Sequence, residues 1–158
     1  MPESKTMERA RRDQREGKSP STQAGEFVRE EIEHVRKGKH GARSAKQVIA
    51  IGLSKARRAG IKLPPPPAGE TSSSTHAHGK HDYDRGQGSH HHRVSSKRSR
   101  ATLRALKREG HEAASHTALA RQAHVSARFR TAVDRSLAAR KAARTRKQQS
   151  KVESMLAS

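Results

Sequence analysis

The side chains best equipped for chemistry in this chain are cationic. From Arg93 to Lys151 there are 12 arginines and 5 lysines, with a dense run at Arg140, Lys141, Arg144, Arg146 and Lys147. A guanidinium is a planar fork that pairs bidentately with phosphate oxygens, and a lysine ammonium adds a point charge. Residues 93–158 hold 17 basic and only 4 acidic groups, so internal compensation is slight and a polyanion is the expected partner. A second set is imidazole: His76, His78, His81, His90, His91 and His92, with Asp82 and Asp84 beside them. Clustered histidines can chelate zinc, nickel or copper, but here they lie in Gly- and Ser-rich sequence with nothing to orient them. A polar spacer is the preferred reading of this set, and no metal or other cofactor is assigned.

Catalysis is not expected. No nucleophile, base and orienting group can be picked out, and the chain lacks a GxxxxGK[ST] phosphate loop, a GxGxxG turn and an HExxH helix. With no cysteine, a disulfide framework, a thiolate metal site and a cysteine nucleophile are all excluded.

The elements that would have to position these groups are thin. Leu, Ile, Val and Phe make up 20 of 158 residues, and such a low share with a net charge of +20 is a composition of disorder. The expected fold class is therefore all-α and largely disordered. Charge divides the chain: residues 1–63 carry 16 basic and 8 acidic groups, 64–92 carry 2 and 3, and the remainder is strongly basic. We divide it into a basic arm with a frayed, solvated helix over 1–21, a helical hairpin over 22–63, a flexible Pro/His/Gly/Ser linker over 64–98, and an Arg/Ala-rich tail over 99–158.

The hairpin alone has clear helix grammar. Gln23 to Lys37 sets Phe27, Val28, Ile32 and Val35 on one stripe, with Glu26, Glu30, Glu31 and Glu33 placed off it. Ser44 and Gln47 form a capping-box pair opening a helix that carries Val48, Ile49, Gly52 and Leu53 inward, Gly52 allowing close approach. Gly60 suits the left-handed position after that helix, Ile61 can fold back on Ala56, and Pro64 forbids continuation. The expected core is Phe27, Val28, Ile32, Val35, Val48, Ile49, Leu53, Ile61 and Leu63, few side chains for some forty residues, so self-association or ligand binding is expected to complete it. In the tail, Phe129, Val133 and Leu137 recur at i+4 steps, a stripe too thin to fold alone; a conditional helix that orders on nucleic acid is expected.

The stretch Ala42 to Leu63 (ARSAKQVIAIGLSKARRAGIKL) and the stretch Lys97 to Gly110 (KRSRATLRALKREG) resemble a group of short basic bacterial proteins, mostly uncharacterised and sometimes labelled DNA-binding. The resemblance implies a bacterial origin and brings no established active site.

These features favour a nonenzymatic, sequence-nonspecific nucleic-acid-binding protein that neutralises phosphate, nucleoid-associated or architectural, with duplex DNA ahead of RNA. The alternatives are an RNA- or ribosome-associated basic protein, and an adaptor whose hairpin docks on a protein while the tail holds a polyanion. The expected phosphate contacts are Arg43, Lys46, Lys55, Arg57 and Arg58 in the hairpin, and Lys97, Arg98, Arg100, Arg104, Lys107, Arg108, Arg128, Arg130, Arg140, Lys141, Arg144, Arg146 and Lys147 beyond it. Helix 44–59 could offer Lys46, Gln47, Ala50, Ser54 and Arg57 to base edges, but a recognition helix usually follows a tighter turn. No small-molecule substrate is expected. No apolar run suits a membrane span or a secretory signal, so a cytoplasmic location is expected.

Overall fold

A computed structural model describes residues 2–88 and 95–156 of the chain. Among them it is all-α: α1 (Ser4–Arg15), α2 (Pro20–Arg36), α3 (Ala45–Arg58), α4 (Ser73–Gln87), α5 (Ser96–Lys107), α6 (His116–Arg128) and α7 (Ala132–Leu156), with a single 3₁₀ turn at Glu112–Ala114. The chain divides into two compact units, Met1–Leu119 and Ala120–Ser158.

The first unit is built on the expected hairpin of α2 and α3. Ser44 caps α3, its hydroxyl accepting from the Gln47 amide at 3.3 Å, while the Gln47 side chain accepts from the Arg43 amide at 2.8 Å. At the other end Gly60 takes a φ of 91°, and the amides of Gly60 and Ile61 donate to the carbonyls of Arg57 and Ala56, the paired bonds of a Schellman stop. Between these ends the two helices cross with their backbones nearly touching at Gly52, where a Cβ would stand 2.6 Å from the Cα of Val28.

Close approach of this kind explains how so few large apolar residues hold a core. Of the eleven buried apolar residues, seven are alanines: Ala10, Ala24, Ala42, Ala45, Ala56, Ala113 and Ala114. Phe27, Val35, Val48 and Ile61 are buried as expected, whereas Val28, Ile32, Ile49, Leu53 and Leu63 are only partly so. Small side chains shorten the distance between helix axes, and backbone contact replaces some of the missing side-chain area.

Several sequence expectations are corrected here. The arm helix α1 is docked, not frayed: Thr6, Ala10 and Asp13 are buried against α2, Arg9 pairs with Glu26 at 3.1 Å, and Lys18 reaches back to Asp13 at 2.8 Å. The 64–98 stretch contains α4 rather than an unbroken spacer. Ser72 caps it by accepting from the Thr75 amide, and it packs on α3 through Gly79, which lies against Pro65 and Pro66, and Gly86, whose absent side chain makes room for the Arg57 carbonyl. The segment after α5 also returns to the hairpin. The Gly41 and Ala42 amides donate to the carbonyls of Leu106 and Gly110 at 2.9 and 3.0 Å, Arg36 Nε donates to the Ala114 carbonyl, and Ala113 and Ala114 join Val35, Ala42 and Val48 in a second apolar cluster.

In the second unit, the end of α6 and all of α7 are helical, where a helix conditional on binding was expected. Alanine and arginine supply the propensity, and a reciprocal cap starts α7: Thr131 Oγ1 accepts from the Asp134 amide, and Asp134 Oδ2 accepts from the Thr131 amide, both at 3.1 Å. That cap falls within the Phe129–Val133–Leu137 stripe, whose members are 85, 66 and 56% exposed. Largely helical described residues replace the expectation of a mostly disordered chain, because alanine, glycine and ion pairs do packing work that a count of large apolar residues does not register.

Candidate functional site

The most tightly bound polar groups lie where α2, α3 and the loop between them meet. Phe27, Glu31 and Val35 occupy successive i+4 steps of α2, so a carboxylate sits in the middle of the stripe that faces α3. Glu31 is 1% exposed and Glu30 4%, although both were expected to lie off the apolar stripe. Lys55, one turn from the end of α3, pairs with both, with Glu30 at 3.5 Å and more closely with Glu31. Burial of these carboxylates is tolerable because an ammonium is held against them.

Two histidines complete the cluster. His34 is one turn beyond Glu31 on the same helix face, and its Nδ1 lies 3.2 Å from Glu31 Oε1. The chain stops at Gly38, at φ 71°, and folds back, which brings buried His40 across so that its Nε2 lies 3.3 Å from Glu31 Oε2. The remaining nitrogen of each ring is committed. His34 Nε2 bonds Glu3 Oε1 at 2.9 Å, and His40 Nδ1 bonds the Gly41 carbonyl at 3.0 Å. Glu3 is further held by Lys39 at 2.7 Å, and the bonds from Lys39 and His34 pull its carboxyl down to about 2. Glu31 Oε2 itself has no hydrogen-bond partner.

The expected phosphate-binding residues fall into two groups. In the hairpin, Arg43 pairs with Glu109 at 2.8 Å, Lys55 is in the buried cluster, and Arg58 lies 3.7 Å from Asp82. Arg57 donates to the carbonyls of Leu63 and Pro64, each at 3.2 Å, and burial pushes its guanidinium below the usual arginine range. Ser54 donates to Asp82 of α4, so two of the residues offered to base edges are engaged beneath that helix. Lys46 alone of the five hairpin cations is exposed and outside any ion pair or hydrogen bond to a carbonyl.

Beyond residue 95 the picture reverses. From Lys97 to Lys151 there are 16 Lys and Arg residues and 3 acids. All of the expected contacts there, from Lys97 and Arg98 through Lys107 and Arg108 to Arg146 and Lys147, are exposed. None of the sixteen makes an ion pair among the described residues. Of the acids, Glu109 is taken by Arg43, and Asp134 is turned inward onto the Thr131 cap, which holds its carboxyl below the usual range.

Among the described residues the histidine set is not brought together. His76 Nδ1 bonds the Pro66 carbonyl at 2.8 Å, and His81 is exposed beside Asp82; His90, His91 and His92 lie outside the described residues. Sequence reasoning missed the cluster of Glu31, His34 and His40. Its available signal was a glutamate on an apolar stripe, with a histidine three residues on.

A profile for a family of unknown function (DUF6496) matches residues 20–66. The similar segment spans α2, α3 and the loop between them, with Glu30, Glu31, His34, His40 and Lys55, and ends before Lys97 to Gly110. No curated protein and no solved structure matches the chain.

Proposed function

We propose that the protein binds nucleic acid without reading its sequence, with duplex DNA favoured, by presenting the unpaired cations of α5, α6 and α7 to phosphate. The observation that carries this reading is the contrast in pairing: 16 exposed cations from Lys97 to Lys151 pair with no carboxylate among the described residues, although four of the five hairpin cations expected at phosphate are engaged. Helices carrying arginine at short intervals place charge along a phosphate backbone, and such contacts set register and affinity without specifying bases. A nucleoid-associated or architectural role follows from that mode of binding.

RNA is the second reading, since the same charges serve any phosphate backbone. Duplex DNA is favoured because only Phe27, Tyr83 and Phe129 are aromatic, too few to stack successive unpaired bases, and Phe27 is buried. The adaptor reading keeps the tail's role and gives the hairpin a protein partner. It draws on the exposed Phe129 stripe less than on the hairpin's own surface, and it is the weaker of the three.

Fluorescence anisotropy on random-sequence duplex DNA tests the proposal. If about 8 phosphates are engaged, log K falls with log[salt] at a slope near −7, and affinity drops roughly 10³ to 10⁵ between 50 and 200 mM salt. A slope shallower than about −2 would contradict phosphate neutralisation as the mode of binding. The same titration on single-stranded RNA separates the first two readings.

No helix among the described residues is long and apolar enough to cross a membrane.

A further inference from the structure

We infer that Glu31, His34 and His40 form a binding site for a divalent first-row metal ion, zinc being the best fit. The three residues offer ligand atoms that all lie within 4.8 Å of one another. Atoms bound to a tetrahedral zinc at about 2.0–2.1 Å stand roughly 3.3–3.4 Å apart. His34 Nδ1 stands 3.2 Å from Glu31 Oε1 and His40 Nε2 3.3 Å from Glu31 Oε2, so each ring nitrogen already has that separation from one oxygen of the carboxylate.

The tautomers agree with a cation between them. The Gly41 carbonyl can only accept, so His40 donates to it from Nδ1, and in its neutral form the ring would turn the lone pair of Nε2 toward Glu31. His34 donates from Nε2 to the Glu3 carboxylate, which leaves the Nδ1 lone pair facing the same glutamate. With both rings neutral, two imidazole lone pairs and a carboxylate converge here and need a positive charge among them, either ring protons or a metal ion, and the titration below separates the two. Glu31 Oε2, on a residue 1% exposed, has no hydrogen-bond partner and is the orphaned acceptor at that point. Lys55 donates to the other oxygen, Oε1, which also faces His34 Nδ1, and leaves Oε2 without a hydrogen bond.

The surroundings are those of a metal site. Each histidine has its second nitrogen held by an oxygen acceptor, Glu3 for one and the Gly41 carbonyl for the other, and this fixes ring orientation and raises ligand basicity. Charge is also suitable: Glu3, Glu30 and Glu31 face Lys39 and Lys55, so with neutral rings the cluster is one positive charge short. Two imidazoles and one carboxylate are a borderline donor set that suits zinc over calcium or magnesium. Its effect would be structural, tying α2 to the reversing loop that follows it.

The test is titration of the full chain with zinc and with cobalt, whose visible absorption reports four-coordinate nitrogen and oxygen ligation. Three variants accompany it: His40→Gln, the outer-shell Glu3→Gln, and a chain with His76, His78, His81, His90, His91 and His92 all replaced by glutamine. One equivalent should bind in the parent and in the six-histidine variant. Glu3→Gln should weaken binding by about 10-fold, the lower end for loss of an outer-shell partner, and His40→Gln by on the order of 100-fold or more. Glu3 is half exposed, so Glu3→Gln stays folded and keeps the test decisive if His40→Gln does not. Binding that survives both Glu3→Gln and His40→Gln, binding lost only in the six-histidine chain, or no binding at about 100 μM metal would each overturn the site.

Discussion

The helices before residue 88 and those after residue 95 use the same two basic side chains for opposite purposes. Among α1 to α4, cations close contacts: Arg9 on Glu26, Lys18 on Asp13, Lys55 on Glu30 and Glu31, Arg58 on Asp82. Along α5, α6 and α7 they make no ion pair among the described residues, with Arg43 of the hairpin claiming Glu109. Local acid supply decides the difference, 8 acids against 16 bases over residues 1–63 but 4 against 17 over residues 93–158. On the proposed function, the charge left over after internal pairing, and not net charge by itself, marks the binding surface.

The sharpest way to break this comparison is to remove a cation that the fold consumes. Lys55→Met leaves Glu30 and Glu31 buried without their ammonium, and a buried pair broken from one side costs about 3–5 kcal/mol. Urea unfolding should show that loss, with the salt slope of DNA binding unchanged wherever the variant is folded. Next comes Gly52→Ala, which drives a methyl into the Val28 backbone; separation of α2 from α3 should cost about 1–3 kcal/mol, read as a lower urea midpoint. In the other region, Thr131→Ala removes the cap of α7 and should cost about 1 kcal/mol locally, seen as lower helicity by circular dichroism without a change in the hairpin's unfolding midpoint.

The smallest effect concerns pH. Glu3, with its carboxyl held at about 2, adds stability that is fully present above the ordinary carboxylate range near 4.5. That contribution is lost as pH falls from there toward 2, since the folded group resists the proton and the unfolded one accepts it. The midpoint difference between the parent and Glu3→Gln should therefore shrink over that window. Half exposure keeps it small at any pH.

The hairpin was legible because its signals are local. Ser44 with Gln47 and Gly60 with Ile61 each act within about one turn of chain, Gly52 stands on the stripe that its helix's own spacing defines, and all do in the structure what their spacing implies. Docking of α1 and α4 was not legible, since α1 buries Thr6, Ala10 and Asp13 and α4 buries Gly79, none of which makes an apolar stripe. The Glu31, His34 and His40 cluster needed the reversal at Gly38 to bring its last member home, and the five residues between His34 and His40 hide that. Exposure of the cations after residue 95 was legible in the charge count, whereas engagement of Arg43, Lys55 and Arg58 depended on partners distant in sequence, and that of Arg57 on the chain folding back after Gly60.

The central claim is that unpaired charge, not total charge, binds nucleic acid, and a matched pair of charge-removal variants tests it most directly. One replaces Arg140, Lys141, Arg144, Arg146 and Lys147 with glutamine; the other replaces Arg29, Lys37, Lys39, Arg43 and Arg58, each of which is ion-paired. Both variants carry five fewer positive charges. On random duplex DNA the first should flatten the salt slope by about 4 units, close to 0.9 for each phosphate that is no longer neutralised, and the second by less than about 1. Equal flattening by the two, or flattening by the second alone, would contradict the account.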